Sequence, residues 1–217
     1  MNFAELRQKM VREQLVRRGI RDPEVLRAMA TVPRELFVPP HLQYVAYDDC
    51  PQPIGENQTI SQPYMVALMT ECLKLKGKEK VLEVGCGSGY QAAILAEIGC
   101  EVYSIERIAT LAERASEVLR SLGYRVRVRV GDGSLGWPDE APFERIIVTA
   151  AAPYVPEKLK GELADGGIMV VPVGSRYSQE LVTVRRRGGV FVEEEGPPCV
   201  FVKLVGKNGW PEELPQS

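Results

Sequence analysis

The chain has 217 residues, 45% of them hydrophobic and 26% charged, and its 27 Lys and Arg residues nearly balance 29 Asp and Glu residues. This balance, with an isoelectric point near 5.7, argues against a general electrostatic nucleic-acid binder, and the lack of any long apolar run argues against a membrane-spanning or secreted protein. A single histidine gives little basis for a His-based metal site or a Ser-His-Asp triad, and five scattered cysteines without a C-x-x-C pair favour free thiols in a reducing compartment.

The first fifty residues have a helical pattern. Apolar residues recur at three- and four-residue spacings from Phe3 to Leu15, and Gly19 is a suitable helix end. Asp22 followed by Pro23 predicts the start of a second helix. The eight Lys and Arg residues of this region are interpreted as a solvated face, with a surface for an anionic partner as the alternative.

From residue 78 the pattern changes to alternating strands and helices. Apolar or alternating runs predict strands at 80–84, 101–105, 125–130 (a sheet edge), 145–149 and 167–171, and helices at 90–98 and 108–122. The runs 180–185, 190–193 and 199–205 have no helix between them and predict antiparallel strands that close the sheet. We therefore expect an α/β fold: a doubly wound, mostly parallel sheet with antiparallel C-terminal strands and an N-terminal helical cover.

A glycine-rich turn follows the first of these strands. Residues 82–90 read Leu-Glu-Val-Gly-Cys-Gly-Ser-Gly-Tyr, so that backbone N–H groups can approach a ligand at a helix N-terminus. A dinucleotide fingerprint would need glycine where Tyr90 stands. The G-x-G-x-G spacing preceded by Glu83 resembles the loop of the class I, Rossmann-like S-adenosyl-L-methionine-dependent methyltransferases, although a glycine turn can also be merely structural.

Two acidic residues follow the next two strands. Glu106 ends the second strand, where a carboxylate can accept hydrogen bonds from both ribose hydroxyls, or can simply pair with Arg107. Asp132, in a Gly-Asp-Gly turn after the third strand, can accept from an adenine amino group, or can be a plain turn residue. Their chain order favours an adenosylmethionine site.

A second motif precedes the α/β core. Residues 58–63 read Gln-Thr-Ile-Ser-Gln-Pro, and with the glycine loop this block resembles the protein-L-isoaspartate O-methyltransferase family. Further matches lie at 34–39, 105–107, 131–134, 146–153 and 171–174, so the resemblance covers roughly residues 5 to 210. The sequence departs from the family at Cys86, where threonine is frequent, and at Lys203, where a late Phe-Val-Pro-Leu motif has proline.

The length predicts one domain over residues 1–217, with an N-terminal helical region and active-site loop at 1–77 and the cofactor-binding core and C-terminal strands at 78–217. The resemblance adds an activity. It implies transfer of a methyl group from S-adenosyl-L-methionine, leaving S-adenosyl-L-homocysteine, to the free α-carboxylate of L-isoaspartyl residues, which starts repair through a succinimide. Ser61 is then the catalytic residue, acting by positioning, and no metal is involved. The implied cofactor-binding residues are Ile60, Ser61, Glu83, Gly85, Gly87, Gly89, Glu106, Asp132 and Gly133. The implied substrate-binding residues are Thr59, Ile60, Thr149 and Ala150.

The expected partners are isoaspartyl-containing proteins and peptides, without nucleic acid or membrane, bound by a cytoplasmic monomer. The alternative enzyme is a class I methyltransferase acting on RNA or a small molecule. An RNA enzyme would be expected to have, after the fourth strand, a basic patch with aromatic residues or an Asn/Asp-Pro-Pro-Tyr/Phe type motif for a flipped base. This chain has Thr-Ala-Ala-Ala-Pro there, at 149–153. A further alternative is a binding module that has lost catalysis.

Overall fold

The computed structural model describes residues 1–212 and contains one seven-stranded sheet with helices on both faces. The helices are α1 (Phe3–Met10), α2 (Pro23–Thr31), α3 (Pro63–Cys72), α4 (Tyr90–Ile98), α5 (Ala109–Ser121) and α6 (Glu157–Glu162). The strands are β1 (Gln52–Gly55), β2 (Gln58–Ile60), β3 (Lys80–Val84), β4 (Glu101–Glu106), β5 (Val126–Val130), β6 (Phe143–Val148), β7 (Leu163–Gly174), β8 (Gln179–Arg187) and β9 (Val190–Cys199). Among residues 1–212, no helix combines the length and the apolar composition of a membrane span.

The sheet has the order β5-β4-β3-β6-β7-β8-β9. Strands β3 to β7 pair in parallel, and β8 and β9 add antiparallel strands at one edge. Parallel strands covered on both faces require apolar runs rather than alternation, as the fully buried Val81 and Leu82 of β3 show. β5 forms the opposite edge, as its Val-Arg alternation predicts. The α/β class, the mixed sheet and the helical cover are therefore confirmed.

The N-terminal cover is helical but irregular. α1 continues as a π-helical turn at Val11–Leu15 and a 3₁₀ turn at Val16–Arg18, and the chain then reverses at Gly19 with φ of 100°. Asp22 caps α2 as predicted: its carboxylate accepts from the backbone N–H groups of residues 24 and 25 at 2.9 and 3.2 Å. This cover packs on one face of the sheet in the larger of two buried clusters.

The predicted strand at 199–205 is wrong. β9 ends at Cys199, and residues 203 and 205 make only isolated bridges, to Ala151 and Trp210. Because Pro197 and Pro198 have no backbone N–H, they weaken the ladder at this point. The chain then leaves the edge of the sheet and runs back over the loop that follows β6, above the carboxyl ends of the parallel strands.

Candidate active site at the carboxyl ends of the parallel strands

The glycine loop leaves β3 between two neighbouring strands. The backbone N–H groups of Gly85 and Cys86 both donate to the Ile105 carbonyl of β4, at 2.8 and 3.2 Å. Gly85 has φ of 98°, and a Cβ placed there would lie 2.5 Å from the Thr149 hydroxyl oxygen beyond β6. Glycine is therefore required at this position on two counts, because a side chain would be strained and would collide with Thr149.

Glu106 ties the loop to the end of β4. Its Oε2 accepts from the Gly87 N–H at 2.8 Å, and its Oε1 accepts from the Ile108 N–H at 2.9 Å. A carboxylate has about four acceptor positions, so each oxygen keeps one for a further donor. Glu106 thus fixes the shape of the loop and can still accept from two vicinal hydroxyls of a ligand.

Ser61 lies on the opposite wall, in the short segment between β2 and α3. Ile60 pairs with Gln52 in the small β1–β2 sheet, and Pro63 begins α3, so the backbone is held on both sides of Ser61. The Ser61 hydroxyl makes no hydrogen bond with any residue among 1–212. It is therefore available to a ligand.

One cavity brings most of the predicted site residues together. Its lining includes Thr59, Ile60, Ser61, Gly85, Gly87, Glu106, Gly133, Thr149 and Ala150. Apolar side chains from β4 and the following turn, Ile105 and Ile108, complete one wall. A backbone cradle, a carboxylate with spare acceptor positions and an apolar wall are what a nucleoside with a charged amino-acid tail needs, so these residues fit S-adenosyl-L-methionine.

A second groove opens beside this cavity. The two share Thr59, Ser61, Thr149 and Val202, and the groove extends over Tyr64, Pro198 and Phe201. Ser61 and Thr149 therefore stand where an outer ligand would meet an inner one.

Three predicted cofactor residues do not line the cavity. Gly89 is the N-cap residue of α4, with φ of 88°, and a Cβ there would lie 3.1 Å from the Cβ of Ala115. Its role in this structure is therefore to let α4 pack closely on α5. Glu83 is fully buried beneath the loop, where it accepts a hydrogen bond from the Ser104 hydroxyl, and burial raises its pKa to about 8.

Asp132 is the third of these residues. Its Oδ1 accepts from the N–H and hydroxyl of Ser134 at 2.9 and 2.6 Å, and its Oδ2 accepts from the Lys207 N–H at 2.8 Å. These donors already use three acceptor positions, so contact with an adenine amino group stays a prediction that would draw on the last one.

The C-terminal segment supplies cavity residues that the sequence prediction missed. Residues 202–205 line the cavity because the Ala151 N–H donates to the Val202 carbonyl at 2.7 Å and the Leu204 N–H donates to the Ala151 carbonyl at 2.8 Å. Lys203, the departure noted above, lies between these two bonds and also lines the cavity. Only the family motif around Phe201 signalled this segment.

Comparisons with known proteins agree on one family. The model of the protein-L-isoaspartate(D-aspartate) O-methyltransferase family matches residues 5–209. A Geobacter metallireducens protein-L-isoaspartate O-methyltransferase is 53% identical over 212 residues, covering 97% of this chain and 98% of the relative.

Solved structures give the same result. A protein-L-isoaspartate O-methyltransferase superposes with a TM-score of 0.83 at 30% identity, over 94% of this chain and 67% of its own. A Plasmodium falciparum structure described as a beta-aspartate methyltransferase (PCMT), in complex with S-adenosyl-L-homocysteine, has a TM-score of 0.81 at 25% identity, over 92% and 98% of the two chains.

Proposed function

The chain belongs to the protein-L-isoaspartate(D-aspartate) O-methyltransferase family, and from this premise we propose that Ser61 orients the substrate carboxylate while Glu106 and the glycine loop hold the cofactor. The enzyme transfers a methyl group from S-adenosyl-L-methionine to isoaspartyl residues of damaged proteins. The family match favours this activity over methylation of RNA or a small molecule.

The reaction needs alignment more than proton transfer. A carboxyl group with a pKa near 4 is ionised at pH 7, so no general base has to activate it. The cofactor, when bound, supplies a methyl group already activated by the positive sulfur. The chain's own residues have to exclude water and hold the carboxylate oxygen about 3 Å from that methyl carbon, in line with the bond that breaks.

The free hydroxyl of Ser61, at the junction of cavity and groove, carries this proposal. It can donate one charge-assisted hydrogen bond to the carboxylate and so select a single orientation for attack. Thr59 and Ile60 are proposed to contact the substrate backbone from the same segment. Thr149, whose hydroxyl donates to the Gly85 carbonyl, and Ala150 would form the floor near the methyl group.

Binding of the cofactor is assigned to the opposite wall. Glu106 is proposed to accept from the ribose hydroxyls, and Gly85, Gly87 and Gly133 to allow close approach of the backbone. A Cβ on Gly133 would lie 2.5 Å from a Val84 methyl carbon, which supports a tight fit there. Glu83, Gly89 and Asp132 are proposed to act from outside the cavity, by shaping the loop, the helix start and the neighbouring turn.

The domain organisation, the location and the oligomeric state are proposals as well. One cooperative domain is supported by the larger buried cluster, which joins residues of 1–77 to residues of 78–217. A reducing, cytoplasmic location is supported by the five cysteines, all of which are free thiols. We also propose that the protein is a monomer.

Ser61→Ala tests the proposed role of the hydroxyl. We expect kcat for an isoaspartyl peptide to fall about 100-fold, the order of effect of misplacing a reacting group by about 1 Å, while the Kd for S-adenosyl-L-homocysteine changes less than threefold. Ser121→Ala, on the exposed end of α5, is the matched control and should leave both values unchanged. Equal losses of rate and cofactor affinity in Ser61→Ala would refute the assignment.

A further inference from the structure

Arg34 is a fully buried cation in the N-terminal cover. It lies in a 3₁₀ turn, Arg34–Phe37, and is the largest completely buried side chain among residues 1–212. No carboxylate of these residues lies within 4.0 Å of its guanidinium, and its Nη1 has no hydrogen-bond partner. A guanidinium stays protonated in proteins, and burying one without a counter-ion costs free energy. Because this burial costs free energy, we expect the contacts of the guanidinium to show a function that its charge serves.

The contacts of this guanidinium lead to the candidate active site. Nη2 donates to the Ser61 carbonyl at 2.8 Å, and Nε donates to the Ala46 carbonyl at 2.7 Å. The cation also lies 4.9 Å from the centroid of the Tyr90 ring, which lines the cofactor cavity. Arg34 therefore joins the cover, the segment that carries Ser61 and the first helix after the glycine loop.

The geometry predicts a consequence for Ser61. Its carbonyl is fixed by a rigid planar fork whose other arm is anchored on a second segment, so the peptide unit cannot rotate without breaking a charge-assisted bond. Ser61 lines both the cavity and the groove, and the position of its side chain depends on this backbone. The adjacent Glu35 accepts from the Tyr47 hydroxyl and forms an ion pair with Arg7 at 3.2 Å. This carboxylate therefore does not serve as the counter-ion of Arg34.

We propose that Arg34 is a positioning residue for methyl transfer: it fixes the Ser61 peptide so that the hydroxyl faces the isoaspartyl carboxylate, and its uncompensated charge favours that anion. The proposal rests on the function assigned to Ser61 above. The planar guanidinium and its positive charge should then have separable effects on kcat and KM, because lysine keeps the charge but cannot donate to two carbonyls in the same fixed geometry.

Two substitutions separate these effects. Arg34→Lys should lower kcat about tenfold while the KM for an isoaspartyl peptide stays within threefold. Arg34→Met removes the charge as well and should lower kcat/KM about 100-fold, since a small misplacement of an aligned group has effects of this order, with KM raised. In both variants the Kd for S-adenosyl-L-homocysteine should change less than threefold. Leu15→Ala, buried in the same cover, is the control: it should lower Tm but leave kcat and KM within twofold at 25 °C.

A double-mutant cycle then tests whether Arg34 acts through Ser61. In a Ser61→Ala background, Arg34→Lys should lower kcat by less than a further threefold, because the group being positioned is already gone. Losses that multiply, or an Arg34→Lys enzyme with wild-type kcat and KM, would overturn the proposal, and Arg34→Lys keeps the test possible if Arg34→Met does not fold. A wild-type enzyme inactive on isoaspartyl peptide would refute the function instead, and an unimpaired Ser61→Ala would refute the role of Ser61.

Discussion

Glu106→Gln is the most informative change at the cofactor wall. The carboxylate holds the Gly87 and Ile108 N–H groups at 2.8 and 2.9 Å and is assigned two further bonds to ribose hydroxyls. An amide replaces one oxygen with a donor, which must then face a backbone N–H. A ribose hydroxyl that donated to the replaced oxygen loses its acceptor. This removes at least one charge-assisted hydrogen bond to the cofactor, worth about 1.5–3 kcal/mol. At about 1.4 kcal/mol per tenfold change, the Kd for S-adenosyl-L-homocysteine should rise about 10- to 150-fold.

Isothermal titration of Glu106→Gln with S-adenosyl-L-homocysteine measures this directly. The kcat for methyl transfer at saturating cofactor should fall less than threefold, because the lost contacts lie away from the reacting atoms. Glu101→Gln is the matched control, at the other end of β4 and outside the cavity, and should leave the Kd unchanged. A Glu106→Gln protein with native Tm and a Kd within threefold of wild type would refute the reasoning.

Two further predictions concern stability. Gly123 has φ of 80° with nothing near its Cβ position, whereas Gly85 has φ of 98° and a Cβ there would lie 2.5 Å from the Thr149 hydroxyl oxygen. In urea unfolding, Gly123→Ala should lower the free energy of unfolding by about 1–2 kcal/mol, and Gly85→Ala should lower it by at least about 1 kcal/mol more. Equal losses in the two variants would contradict a close contact between position 85 and Thr149. Burial raises the pKa of Glu83 from 4.5 to about 8. Between these values the folded state keeps a proton that the unfolded state has lost, so the free energy of unfolding falls with rising pH, by up to about 1.4 kcal/mol per unit. Glu83→Gln should remove this part of the slope between pH 5 and 8.5, and parallel wild-type and variant curves would show that Glu83 is ionised when folded.

Much of the core follows from local sequence. The strands around the glycine loop are mostly apolar, because a parallel sheet covered on both faces leaves no polar side. Glu83 and Ser104 are buried exceptions, and they hydrogen-bond to each other. The loop itself is recognisable because Gly85 and Gly87 adopt a backbone that other residues avoid, with φ of 98° and 53°. Asp22 is equally readable, since capping depends only on its immediate neighbours.

Other parts depend on tertiary context. Residues 199–205 have a strand-like composition, but residues 202 and 204 hydrogen-bond to Ala151 in the loop after β6, a partner that no local pattern specifies. The β1–β2 hairpin is not predicted from the sequence, because Pro53 and Gly55 in its first strand are residues that strands usually lack. Burial of Arg34 is likewise invisible in sequence, where a charged residue indicates the surface.

Methyl transfer to isoaspartate, with alignment by Ser61, can be measured with a single pair of peptides. One peptide is synthesised in two forms, with L-isoaspartate or normal L-aspartate at the same site, and each is incubated with methyl-labelled S-adenosyl-L-methionine and the enzyme. Label should enter only the isoaspartyl form, as a base-labile ester. Equal labelling of both forms, or no labelling of either by an enzyme that still binds the cofactor, would contradict the account.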